Sequence, residues 1–360
     1  MLSSRNHLSL KKPKYLLCYL YSLMMIILSA SPSTSCCSAE SISVSDAPKK
    51  TIRILSLDGA GVDAVSQAFF LERIEKETGK SIPEIFHMVG SVSLSSFLSL
   101  ALTTPANEVA GWKPKINSSN FVIIGKFNSH KIYRTSLPTV EHISESICDL
   151  ESYAKILSKL FGRAKISDSI IDTVVITQSL DNNRPKVFKS WENDEDFLCS
   201  EVALASAATP RRDASYSITT TSDSKIRNGY LNLADAKKII KNPTVYLLNE
   251  ARKRYPNCNY EIVSVGSVVN ATEDLSWQAI GDQATMAHHY LSTLSLPFYT
   301  RWTAITHNPY SREDNGAINN LNYRQIAVRR MLEEERRADF QALINRLKQP
   351  RDLIVASCKF

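Results

Sequence analysis

The chain has 360 residues, enough for one large α/β domain or two medium ones. Hydrophobic residues at 43% and charged residues at 22% are ordinary globular values, which excludes a disordered, collagen-like or fibrous chain. The net charge of +7 gathers early, since Arg5, Lys11, Lys12 and Lys14 all precede the first acid, Glu40. The remainder is too mildly basic for nucleic acid, and no basic run interleaved with aromatics is present. Seven cysteines are too few and too scattered for a disulfide framework, and no Cys/His cluster has metal-ligand spacing. Neither a metal nor a cofactor is expected.

Residues 1–39 carry the three parts of an export signal. A basic, acid-free stretch is followed by the apolar run Tyr15 to Ala30 and then by the small-residue segment SPSTSCCSAE. Sixteen residues are short for a spanning helix, which needs about 20. The first expectation is therefore a signal cut after Ala30 or Ala39, with an uncleaved anchor as the rival; either way the chain is exported. Residues 40–50 read as a polar linker and 51–350 as one domain.

From Thr51 the run TIRILSL alternates and then turns apolar, as a buried strand does, and stops at Asp58-Gly59-Ala60-Gly61. Helical spacing follows over 64–78. A second apolar run, Ile85 to Val89, leads into the serine-rich turn Gly90 to Ser96 and an apolar helix from Phe97 to Leu102. Strand–turn–helix repeated in this way predicts a mainly parallel sheet with helices on both faces. Further strands are expected at 170–177, 186–188 and 261–265, and a helix at 197–208. A long charged helix is expected at 324–348, with Ile326, Met331, Phe340, Ile344 and Leu347 on one face.

Two turns carry chemistry. Gly59-Ala60-Gly61 presents backbone N–H groups ahead of a helix, which suits a phosphate or a developing oxyanion, or is simply a tight turn. It is neither a Rossmann nor a Walker pattern. Ser93 sits between a strand and a helix, as a nucleophile does on a strained elbow. A serine-rich helix cap is the competing reading. His288-His289 reads as packing, and Asn117 and Asn270 begin glycosylation sequons.

The order of these segments resembles the patatin-like phospholipase family. ILSLDGAGVDAV stands where that family has a strand ending in Asp-Gly-Gly-Gly-x-Arg-Gly, and EIFHMVGSVSLSSFLSLAL where it has Gly-x-Ser-x-Gly. TVVITQSLDNNRPKVFKSW resembles its strand–turn–strand, and EVALASAATP its Ala-Arg-Ala-Thr-Ser-Ala-Ala-Pro stretch. LADAKKIIKNPTVYLLNEA, IVSVGS and NYRQI resemble its later segments. The likeness runs in order from about 51 to 330.

That resemblance implies a three-layer α/β fold and acyl-lipid or phospholipid hydrolysis, at a membrane surface, by a Ser-Asp dyad without histidine. It implies Ser93 as nucleophile and backbone N–H groups of Gly59, Ala60 and Gly61 as the oxyanion hole. The spacing to Asn242-Pro243 assigns the aspartate to Asp235, with Asn228 as the competing position and a helix N-terminal acid as the plain alternative. The departures raise a second possibility, a catalytically silent relative that binds a lipid or a partner. Asp63 replaces the arginine, Ala236-Lys237 replace two glycines, and Ser91 and Ser95 replace the elbow glycines. The two serines add about 1–3 kcal/mol of strain if the elbow requires unusual torsions of their backbones.

Overall fold

The computed structural model describes residues 49–60, 64–106, 113–134, 147–148, 150–192, 196–208, 216–219, 230–237, 239–270, 283–306 and 317–353. The export segment, Gly61, Asp63 and Asn228 therefore lie outside the described residues.

The strands are β1 (Thr51–Leu57), β2 (Met88–Val92), β3 (Tyr133–Arg134), β4 (Ile147–Cys148), β5 (Asp172–Ser179), β6 (Arg184–Lys189), β7 (Tyr216–Thr219), β8 (Tyr230–Asp235), β9 (Asn259–Val265), β10 (Val269–Asn270), β11 (Phe298–Trp302) and β12 (Ile305–Thr306). The helices are α1 (Ala64–Thr78), α2 (Ile82–Ile85), α3 (Ser95–Thr103), α4 (Ser118–Ile132), α5 (Leu150–Phe161), α6 (Cys199–Ala207), α7 (Thr244–Arg254), α8 (Gln283–Thr293), α9 (Ala317–Arg330) and α10 (Arg337–Lys348).

Eight of these strands form one sheet in the order β11-β9-β1-β2-β5-β8-β7, with β6 also paired to β5. The pairs from β11 to β5 are parallel, whereas β6, β8 and β7 join antiparallel. Alternation along β1 sends Ile52 and Ile54 to one face, and Leu55 and Leu57 to the other. The first face is covered by Leu247, Leu248 and Ala251 of α7 and Leu291 of α8. The second is covered by α1, α3, α6, α9 and α10 through residues such as Phe70, Leu98, Val202, Val328 and Phe340. The chain is thus a mixed, mostly parallel sheet with helices on both faces. Burial on both sides is why the second halves of β1 and β9, ILSL and IVSV, read as nearly continuous apolar runs.

Gly90 fixes how closely α7 approaches. A Cβ there would lie 2.0 Å from Leu247 Cδ2, so the helix rests directly on the β2 backbone.

Some expected elements shift. The second strand is Met88–Val92 rather than 85–89. Pro83 in the first turn, and Glu84 accepting the Ser81 N–H at 2.7 Å, make Ile82–Ile85 a helical turn instead. The long helix at 324–348 is broken by a π turn at Met331–Glu335 and by Arg336. The Arg336 guanidinium turns inward, 4.0 Å from the Trp302 ring centroid, and donates to the Arg301 carbonyl at 2.7 Å. Met331, Phe340, Ile344 and Leu347 are buried, but Ile326 is 59% exposed.

Residues 349–353 strap across the N-terminal ends of β1 and β2. Arg53 donates to the Gln349 carbonyl at 2.9 Å, Arg351 to the Phe86 carbonyl at 2.7 Å, and the Thr51 N–H to Asp352 at 2.6 Å. Beneath the strap, His87 accepts the Arg53 N–H on Nδ1 at 2.9 Å and meets the Asp352 carbonyl through Nε2 at 2.9 Å. Among the described residues no helix is long and apolar enough to cross a membrane.

Candidate active site

The site forms where β2 ends. Ser93 follows Val92 and takes φ 61°, a left-handed torsion that a non-glycine residue holds at a cost of about 1–3 kcal/mol. Helix α3 begins two residues later. Leu94 stands at its cap without a side-chain cap bond, so the serine-rich cap reading fails. Ser91 and Ser95 are not among the positive-φ residues, so the strain sits at Ser93 and not at its flanks.

The flanking hydroxyls are put to use. Ser95 Oγ lies 2.6 Å from the Asp58 carbonyl and 2.7 Å from Gln67 Oε1, tying α3 to the end of β1. Ser91 Oγ pairs with Ser99 Oγ at 2.6 Å. Ser206 of α6 donates to the Ser93 carbonyl at 3.1 Å and pairs with Ser96 Oγ at 2.8 Å. Side-chain hydrogen bonds thus hold an elbow that glycine close packing would otherwise shape.

Strand register brings the partner carboxylate in. On β5, Ile176 is opposite Val92 of β2, and the next residue, Thr177, is opposite Asp235 of β8. Strand β6 occupies the other edge of β5 over these residues, so β2 and β8 share one edge nearly end to end. Ser93 and Asp235 therefore meet, and Ser93 Oγ donates to Asp235 Oδ2 at 2.8 Å. Asp235 ends a strand, which excludes the helix N-terminal alternative.

Both residues are buried, at 1% and 3% exposure. Burial raises the Asp235 pKa above the usual carboxylate value, opposed by the Lys237 charge, the Lys237 N–H and the Ser93 hydroxyl. A carboxylate so placed is a stronger base than one in water.

The glycine turn departs from expectation. The Gly59 N–H donates to the Lys241 carbonyl at 2.8 Å, so it is not free to face an oxyanion. Lys241 is placed there because its own N–H and that of Asn242 both bond Gln283 Oε1 at 2.8 Å. Asn242 Oδ1 in turn accepts the Thr244 N–H at 2.9 Å, which starts α7. Of the three expected donors, Ala60 remains in the described turn and Gly61 lies outside the described residues.

Asp58, fully buried at the end of β1, is held by Arg301 of β11, with contacts of 3.2 Å to Oδ1 and 2.6 Å to Oδ2. Where the resembled motif has an arginine next to its glycines, this chain brings a cation to the base of the turn from a strand some 240 residues on. Sequence reasoning missed Arg301, because nothing local marks it, and Ser206, which lay unremarked inside EVALASAATP. Lys237 was visible as a departure from glycine. His288 bonds the Tyr299 hydroxyl at 2.9 Å, and Asn117 Oδ1 accepts the Asn120 N–H at 2.8 Å at the start of α4. The described residues contain no group of three or more His, Cys, Asp or Glu placed to hold a metal ion.

No family model matches the chain. Patatin-like protein 2 of Oryza sativa, in both indica and japonica forms, is 23% identical over 223 residues, covering 57% of this chain and 54% of the relative. The likeness is to patatin-like proteins. The chain spans about half the length of these relatives. Phospholipase A I of Arabidopsis thaliana is 38% identical over 55 residues, 15% of this chain and 4% of that protein. Among solved structures, VipD from Legionella pneumophila aligns with a TM-score of 0.31 at 9% identity, covering 79% of this chain and 67% of that one. The type III effector protein ExoU aligns with a TM-score of 0.34 at 13% identity, covering 85% and 55%.

Proposed function

We propose that the chain is a patatin-like acyl hydrolase in which Ser93 is the nucleophile and Asp235 the base. The observation that carries this reading is the 2.8 Å bond from Ser93 Oγ to Asp235 Oδ2 at a strand-to-helix elbow with φ 61°. In the forward step Asp235 Oδ2 takes the hydroxyl proton as Oγ bonds to the ester carbonyl carbon, whose oxygen becomes the oxyanion. Collapse expels the alcohol, which leaves with the proton from Asp235, and an acyl-serine remains. Water, deprotonated by Asp235, then adds to the acyl carbon, and collapse breaks the acyl–Oγ bond, releasing the fatty acid as Asp235 returns the proton to Ser93 Oγ. The proposed substrate class is acyl lipids or phospholipids at a membrane surface; the short likeness to phospholipase A I supports a phospholipid.

A second reading rests on specific observations. Ser93 is 1% exposed and the Gly59 N–H is engaged, so the nucleophile is buried and one of the three implied donors is taken. Loss of one oxyanion donor costs about 10²–10³ in rate. A catalytically silent protein that binds a lipid or a partner would keep this fold with such a site.

Hydrolysis of aryl esters and phospholipid vesicles by the purified chain, beside Ser93→Ala, separates the two. Turnover and fluorophosphonate labelling that vanish in Ser93→Ala support the hydrolase. Labelling and turnover unchanged by Ser93→Ala would end the dyad assignment, and a folded wild type that shows neither would favour the silent reading. The proposal includes export directed by residues 1–39. N-terminal sequencing of the chain from its native host should find a start between Ser31 and Glu40 if the segment is cleaved, or a membrane-bound chain if it is an anchor. An intact Met1 on a soluble cytosolic chain would overturn export.

A further inference from the structure

Lys237 occupies the place where a small residue would leave Asp235 with hydrogen bonds alone. Its backbone N–H donates to Asp235 Oδ1 at 2.8 Å. Its ammonium lies 3.5 Å from Oδ2, the same oxygen that accepts the Ser93 hydroxyl. The lysine side chain is 31% exposed and the aspartate side chain 3%, so the cation links a buried carboxylate to solvent. The turn also fixes the lysine's origin, since a Cβ on Gly59 would come within 2.9 Å of Lys237 Cβ. The stem therefore leaves from between the glycine turn and the dyad.

We infer that Lys237 is a positioning residue of the proposed site: its ammonium keeps the Asp235 carboxylate charged and aimed at Ser93, although burial alone favours the neutral acid. The role in turnover rests on the hydrolase reading; the hold on Asp235 does not. An isolated buried carboxylate takes up a proton rather than remain unpaired, and a protonated Asp235 cannot accept the Ser93 proton.

Other described elements around Asp235 offer no competing charge. Strand β5 presents Thr177 opposite it, the Ala208 carbonyl just after α6 accepts its N–H at 2.7 Å, and Ser93 faces it from the turn before α3. On the β1 side, the Asp58 carboxylate is taken up by Arg301. Among the described residues, Lys237 is thus the cation that acts on Asp235.

The test uses the full chain as wild type, Lys237→Met and Lys237→Arg, and reads two quantities. The first is the carboxyl-carbon NMR titration of Asp235, assigned by its loss in Asp235→Asn. The midpoint should rise by about one pH unit or more in Lys237→Met and stay near wild type in Lys237→Arg. The second is the pH profile of kcat/KM on a short-chain aryl ester. Its acid limb should move the same way, with about tenfold loss at a fixed acid pH. A lysine that merely packs on Gly59 would lower activity at every pH without moving the limb. An Asp235 midpoint unmoved in Lys237→Met would overturn the inference whatever the activity. A midpoint that moves in a chain without Ser93-dependent turnover would instead support the cation's role and count against the hydrolase reading.

Discussion

Replacing His87 with asparagine should remove most of the acid sensitivity of the strap at residues 349–353. His87 is 7% exposed and bonded on both nitrogens. Because Nδ1 accepts the Arg53 N–H, Nε2 must carry the ring proton and donate to the Asp352 carbonyl. A second proton would have to go on Nδ1, against an N–H already pointing at it. Burial, with help from the Arg351 and Arg53 charges, lowers the pKa from 6.5 to about 4. A base whose folded pKa is depressed stabilises the fold fully above its unfolded value, and that contribution fades as pH falls toward the folded value. The window here runs from 6.5 down to about 4. Between about pH 7.5 and about pH 4.5, linkage gives a loss of roughly 2.5 kcal/mol from this one group. Asparagine places its Oδ1 near the Nδ1 position and does not titrate. Urea unfolding of both proteins at the two pH values isolates the effect as a double difference, cancelling other groups. His87→Asn should start less stable, having lost the bond to Asp352, but fall by about 2.5 kcal/mol less than wild type. Parallel losses in the two proteins would refute the tautomer and burial argument.

Gly90→Ala should destabilise by about 1–3 kcal/mol, because the new methyl meets Leu247 at 2.0 Å. Adding Leu247→Ala should recover part of that loss, so a double-mutant cycle by urea unfolding should show positive coupling. Arg301→Met leaves the buried Asp58 carboxylate without its bidentate partner and should cost about 3–5 kcal/mol. The pair Asp58→Asn with Arg301→Met should be milder, which thermal unfolding would register. Asp235→Asn keeps the shape of the site but removes the base, so any ester turnover should drop by about 10²–10⁴ with the fold intact by circular dichroism.

Much of the framework was legible in the sequence because it depends on neighbours along the chain. Alternation in TIRILSL, the stop at Asp58-Gly59 and the helical spacing of 64–78 are local patterns, and β1 and α1 fall at those positions. The serine between a strand and a helix was visible for the same reason, although residues 85–89 misled because a capped turn took the start of an apolar run. The break in the 324–348 helix had no local signal either, since it depends on Arg336 finding Trp302.

What the sequence by itself determined is the α/β alternation and the two turns on which the site stands. Only tertiary structure decided which groups meet there. Asp235 reaches Ser93 because successive residues of β5 pair with β2 and then with β8, a register that no spacing between residues 93 and 235 encodes. The Gly59 N–H is taken by Lys241, and Asp58 by Arg301 across β9, through contacts between segments distant along the chain. Periodicity reports which side of an element faces the core. It does not report which buried polar group will supply the partner that burial requires.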